Sequence, residues 1–163
     1  MIDFSNRLEQ LVGDDGGMTT ARRTTVTARL VIDGADRAIA YYQQALGAEL
    51  GERFTGPDGK VVHAELTIGA TKIAIKDEDG VDPSATTLGG SAIILQLDVD
   101  EADAVGKALV DGGGTVIFVI GDTTYGYRQG RIADPFGFHW LVSQQIEELS
   151  DDEVQTRLDV GLA

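Results

Sequence analysis

The chain predicts an α+β fold made from one small unit used twice, and three observations point there. A β-rich run, a short amphipathic helix and further β-rich segments occupy Thr25 to Ile75, and the same order returns over Ser91 to Val142. Within both copies the hydrophobic period switches from 2 to 3.6 and back, as it does when strands flank a helix. At 163 residues the chain can bury roughly 68–70 % of its unfolded surface, enough for one core shared by two half-domains.

Residues 1–24 read as an N-terminal extension. Phe4, Leu8, Leu11 and Val12 fall near helical spacing ahead of the polar stretch Gly13-Asp14-Asp15-Gly16-Gly17, which suits either a short docking helix or a frayed tail, and Met18 offers an alternative start. The first module spans residues 25–80. From Thr25 to Asp33, Val26, Ala28, Leu30 and Ile32 alternate with Thr27, Arg29, Val31 and Asp33, the pattern of a half-buried strand. Asp33 is placed to cap the next helix, which runs from Ala35 to Leu46 with Ala38, Ile39, Tyr42, Ala45 and Leu46 on one stripe and Gly47 as its stop signal. A strand over Glu49 to Phe54 is followed by Gly56-Pro57-Asp58-Gly59, where Pro presets φ and Gly tolerates positive φ. Strands near Val61 to Ile68 and Lys72 to Lys76 complete the unit.

Pro83 and the Gly89-Gly90 pair mark a linker over residues 81–89. The second module, residues 90–145, repeats the order. Ile93, Leu95, Leu97 and Val99 face one way along a strand while Ala92, Ile94, Gln96 and Asp98 face the other. Glu101 to Val110 is a helix with Ala104, Val105, Ala108 and Leu109 as its stripe, ended by Gly112-Gly113-Gly114. Strands near Val116 to Ile120, Tyr127 to Ala133 and Phe138 to Ser143 follow. Residues 146–163 form a C-terminal helix and tail, opened by a capping box between Ser150 and Glu153.

Composition narrows the function classes. With no Cys, a disulfide frame, a thiolate nucleophile and a Cys-based zinc site are excluded. A net charge of −14 repels nucleic-acid phosphates and favours cationic ligands where it reaches a cavity. No apolar run is long enough to cross a membrane and no basic-apolar leader opens the chain, so a cytoplasmic protein that binds neither nucleic acid nor membrane is expected.

Four segments carry a family likeness: Tyr41-Tyr42-Gln43-Gln44-Ala45-Leu46-Gly47-Ala48, His63-Ala64-Glu65-Leu66, Tyr125-Gly126-Tyr127-Arg128 and Asp134-Pro135-Phe136-Gly137. Over Thr25 to Glu153 the chain resembles the vicinal oxygen chelate superfamily, which contains glyoxalase I, bleomycin-resistance proteins and extradiol dioxygenases. The resemblance implies two βαβββ modules forming a cupped, eight-stranded mixed sheet around a cavity. It also implies that metal-using relatives draw His and Glu ligands from the first and fourth strands of one module and the equivalent strands of the other. Those places hold Val26 or Thr27, Asp77, Ile94 or Gln96, and Leu141. Only Asp77 is a good hard-metal donor, and one carboxylate leaves a divalent ion mostly hydrated, so the usual metal site and any other cofactor are expected to be missing.

Other residues are candidates for a ligand site. His63 and Glu65 lie two apart on one strand, hence on one face, either as a functional pair or as a solvated edge. His139 is a second imidazole. Tyr125 to Arg131 holds two Tyr and two Arg, which suit a cavity mouth by stacking and bidentate donation, or else pack a loop with Arg128 paired to surface acid. Trp140 alternates with Phe138 and Val142, as core packing or as a cavity wall. The expected ligand-binding set is Arg29, His63, Gln96, Tyr125, Arg128 and Trp140.

The leading expectation is a homodimeric protein that binds or sequesters an aromatic or cationic small molecule, similar in kind to the antibiotic-resistance branch. The alternative is a lyase, isomerase or dioxygenase with an atypical metal site built from His63, Glu65, Gln96 or His139.

Overall fold

The computed structural model describes residues 24–161, so the expectations for Phe4, Leu8, Leu11, Val12 and Met18 lie outside the described residues. The first module runs β1 (Arg29–Ile32), α1 (Ala35–Leu46), β2 (Glu49–Thr55), β3 (Val61–Ile68) and β4 (Thr71–Asp77). The second runs β5 (Ile94–Asp98), α2 (Ala102–Asp111), β6 (Thr115–Asp122), β7 (Tyr127–Ala133) and β8 (His139–Gln145), and α3 (Asp151–Gly161) is the last described element. The eight strands form two four-stranded mixed sheets, ordered β1-β4-β3-β2 and β5-β8-β7-β6. In each, the first strand runs parallel to the last, with Leu30 opposite Ile75 in one sheet and Leu95 opposite Trp140 in the other, and the remaining pairs are antiparallel. This is the βαβββ arrangement that the repeated hydrophobic pattern implies.

Each sheet buries one face against its helix. Leu30, Ile32, Ala64, Leu66, Ile73 and Ile75 of the first sheet, Ile132, Trp140 and Val142 of the second, and the inward sides of α1 and α2 belong to one buried cluster. The halves therefore share a core. The other face of each sheet is open enough to leave Phe54 and Phe118 more than half exposed. Among the described residues no helix is long and apolar enough to cross a membrane.

The joint between modules is a carboxylate. Asp134 is buried, and its Oδ2 accepts from Tyr42 Oη of α1 at 2.7 Å and from Trp140 Nε1 at 2.8 Å. Its Oδ1 accepts the backbone N–H groups of Phe136 and Phe138, both at 2.9 Å. Four donors saturate the carboxylate, which is how a buried charge with no cationic partner is held. Burial and the Asp134 charge both push the Tyr42 hydroxyl well above its ordinary value. Around this knot Tyr42 meets Trp140 edge-on with centroids 5.5 Å apart, and Tyr41 meets Phe136 at 5.7 Å while donating to the Leu109 carbonyl at 2.9 Å.

Three local expectations change. The strand over Thr25 to Asp33 shortens to Arg29–Ile32, and Val26 is 96 % exposed, because only the later residues reach β4. Asp33 does not cap α1: Gly34 takes the N-cap position, and Asp77 accepts from the N–H groups of Gly34 at 3.1 Å and Ala35 at 2.7 Å. On α2 the buried positions are Ala102, Gly106 and Leu109 rather than a stripe including Ala104. Gly106 lets α2 lie close on the sheet: a Cβ there would come within 2.3 Å of Ile120 Cδ1 and would make that side chain shift. Gly47 ends α1 at φ 63° as its position suggests, and the Ser150–Glu153 capping box forms at the start of α3.

Candidate functional site

A groove of about 750 Å³ lies where the modules meet, within the roughly 300–1,000 Å³ typical of small-molecule sites. Its floor follows from the strand alternation. Leu95, Leu97 and Val99 point toward the helices from β5, and because β5 is an edge strand nothing covers its outer side. Ala45 and Leu46 at the end of α1, Ile68 and Ile73 of the β3–β4 hairpin, Val105 of α2 and Trp140 complete an apolar wall. Trp140 is fixed by its bond to Asp134. Polar groups gather at the rim. Gln96 Nε2 donates to Asp98 Oδ1 at 2.8 Å, and both residues continue into a polar recess of about 550 Å³ lined also by Tyr127 and Ser143. The amide partner is neutral, and among the described residues no Lys or Arg pairs with Asp98 at the groove edge. Lys72 also lines the groove, but its ammonium is held by Glu65 at 2.7 Å, which raises its pKa.

Of the residues singled out from sequence, Gln96 and Trp140 line this groove together. The other four lie elsewhere. Arg29 donates to the Val62 carbonyl at 2.9 Å, and His63 stacks on Phe54 with centroids 6.2 Å apart. Tyr125 donates to Gln129 at 2.7 Å. Arg128 is clasped by Asp103 of α2 and Asp122 of β6, at 2.7 and 2.6 Å, and these two carboxylates raise its pKa. Asp98 is the groove residue that sequence reading left unmarked. Its signal was modest: an acid on the polar side of an otherwise apolar strand.

The superfamily's metal positions can be tested on their own chemistry. Asp77 Oδ1 takes the two N–H groups at the start of α1, and its Oδ2 accepts from Val61 N at 2.7 Å, so its carboxylate is committed to the backbone. Ile94 and Leu141 offer no donor, and Gln96 gives its amide to Asp98. Glu65 is held by Lys72. Among the described residues no group of three His, Asp or Glu could hold an ion together. The residues do not fit the superfamily's metal.

Comparison with known proteins agrees with this architecture. An uncharacterised protein of Mycobacterium tuberculosis is 35 % identical over 158 residues, covering 93 % of this chain and 91 % of that one. A solved Pseudomonas aeruginosa protein superposes with a TM-score of 0.64 at 24 % identity, over 76 % of this chain and 98 % of its own. The fosfomycin resistance protein FosX of Listeria monocytogenes does so with a TM-score of 0.59 at 12 % identity, over 80 % and 97 %. At these identities the structural likeness is one of fold. A family model matches residues 24–142, both modules up to the middle of β8. The chain belongs to the glyoxalase, bleomycin resistance protein and dioxygenase superfamily.

Proposed function

We propose that the protein binds a small molecule with an apolar or aromatic body and a cationic head in the groove between its modules. The observation that carries the reading is the pairing of an apolar wall with a carboxylate, Asp98, that has no cationic partner among the described residues, at the rim. At roughly 25 cal/mol per Å², about 200 Å² of buried ligand surface contributes about 5 kcal/mol before the costs of association, so the wall supplies affinity and Asp98 selects charge. The chain's net charge of −14 adds a field that draws cations. The reading assigns no step to a metal, because the side chains at the superfamily's ligand positions do not fit one.

A homodimer belongs to the same reading. Val116, Ile117, Phe118 and Val119 on the edge strand β6 are all exposed, Val119 at 81 %, and an apolar sheet edge of this kind is ordinarily covered by another chain.

The test uses the chain's single tryptophan. Emission of Trp140 and calorimetry are followed while 4-tert-butylbenzylammonium, or the neutral 4-tert-butylbenzyl alcohol, is titrated. Asp98→Asn is expected to weaken the ammonium about tenfold and to leave the alcohol within twofold. Equal weakening of both, or binding of neither, contradicts the proposal.

A further inference from the structure

We propose that the groove between the modules is an interaction surface for the chain's own N-terminal segment, residues 1–23, which closes it when no ligand is bound. The groove is the one assigned above to a cationic small molecule, and the regulatory consequence rests on that reading, whereas the docking itself does not. Two features of the described residues call for an occupant. Leu46, Ile68, Leu95 and Leu97 pack against the core and yet remain only half-buried along the groove wall. At the rim, Asp98 has no Lys or Arg partner among the described residues.

The segment joins the fold at a point from which it reaches both. The described chain begins at Thr24, and Val26 and Ala28 line the same groove as Leu95 and Asp98. Ala28 is tied down, its carbonyl accepting from Ala74 N at 2.9 Å, whereas Val26 stands 96 % exposed beside the wall. Arg22 and Arg23 come directly before Thr24. Three extended residues span at most about 10 Å, so the Arg23 guanidinium starts within reach of the rim. Farther back, Phe4, Leu8, Leu11 and Val12 recur at helical spacing, an apolar stripe with Asp3, Asn6, Glu9 and Gln10 off its line. The stretch from Gly13 to Arg23 spans up to about 35 Å, and Gly13, Gly16 and Gly17 permit the reversal that lays the stripe on the wall.

Tethering selects this occupant over any other. The segment offers what the groove lacks, an apolar body and a guanidinium that matches a carboxylate through two parallel N–H bonds. On a short linker it acts at an effective concentration on the order of millimolar, about a thousandfold above a second copy at micromolar protein. A contact with a bimolecular Kd of about 0.1 mM then closes the groove about nine-tenths of the time. An external ligand has to displace it, so its apparent affinity falls about tenfold.

The chain has no cysteine, so Asn6→Cys gives a single attachment point for a nitroxide, opposite the apolar stripe at helical spacing. Amide spectra of the ligand-free full chain labelled with nitrogen-15 are compared with the nitroxide oxidised and reduced. The expected result is selective broadening at residues 45–46, 68–73 and 95–99. Leu8→Glu with Leu11→Glu should abolish it, and Arg22→Gln with Arg23→Gln should reduce it. Without the nitroxide, the Leu8→Glu, Leu11→Glu chain should bind 4-tert-butylbenzylammonium about tenfold tighter than the wild type. An absence of selective broadening at those residues overturns the proposal. So does broadening of an unmodified nitrogen-15 chain when a nitroxide-bearing chain is mixed in, since the occupant then belongs to a second copy. Broadening in a chain that binds no ammonium upholds the docking and defeats only the ligand reading. Ammonium that fills the groove without relieving the broadening, or with an affinity that the two Glu substitutions leave unchanged, overturns the closure.

Discussion

At Asp134 four neutral donors hold one buried carboxylate, two from its own turn and two from side chains that belong to different modules. Asp134→Asn keeps the volume but turns one acceptor oxygen into an NH₂ group facing donors. The Trp140 indole cannot reverse its role, so a buried donor loses its partner. We expect a loss of about 2–4 kcal/mol in denaturant unfolding. A loss under 0.5 kcal/mol would show that the knot is not what joins the halves. The sequence showed Asp134-Pro135-Phe136-Gly137 as a turn, and it showed Tyr42 and Trp140 as core residues. Their meeting was not legible, because a bond across 92 positions leaves no local pattern. Arg128 was legible only as a choice between cavity mouth and surface pairing, which the positions of Asp103 and Asp122 decide.

Elements with strong periodicity could be read closely. Helix α1 and strands β3 and β7 have the bounds that their patterns suggest. The edge strands were harder. Strand β6 carries register irregularities between Val116 and Phe118 and between Phe118 and Gly121, and a bulge moves side chains between faces without changing composition. The segment after β4 shows a different kind of order, since it is held by side chains. Glu78 accepts from Thr87 Oγ1 at 2.7 Å and from Ser84 N at 3.0 Å, and these bonds, the Thr87 hydroxyl foremost, hold its pKa down to about 2. A carboxylate whose pKa is lowered on folding stabilises the fold above its unfolded value of 4.5, and that contribution is lost as pH falls toward 2. Amide exchange at residues 84–90 should therefore accelerate relative to the core between about pH 4.5 and 2, and less so in Thr87→Val, where the main donor is already missing. Identical profiles in the two proteins would contradict the assignment.

At the scale of the molecule, duplication was the feature most legible in sequence, and it set the architecture: two copies of βαβββ, each unable to bury its own helix-facing side completely, share one core. The groove was less legible. It depends on how the end of α1, the β3–β4 hairpin and β5 approach one another, which no motif encodes. If β6 is the dimer edge, Val119→Lys should shift the sedimentation coefficient from dimer to monomer with little change in melting temperature at matched low concentration. A wild-type chain that sediments as a monomer at millimolar concentration would remove that part of the account.

The most direct test of the central claim, an apolar groove selecting a cationic ligand, is a backbone amide map of the full chain titrated with 4-tert-butylbenzylammonium. Saturable shifts are expected to concentrate at residues 45–46, 68–73 and 95–99. A map in which those segments stay still while the ligand binds elsewhere, or does not bind, would contradict it.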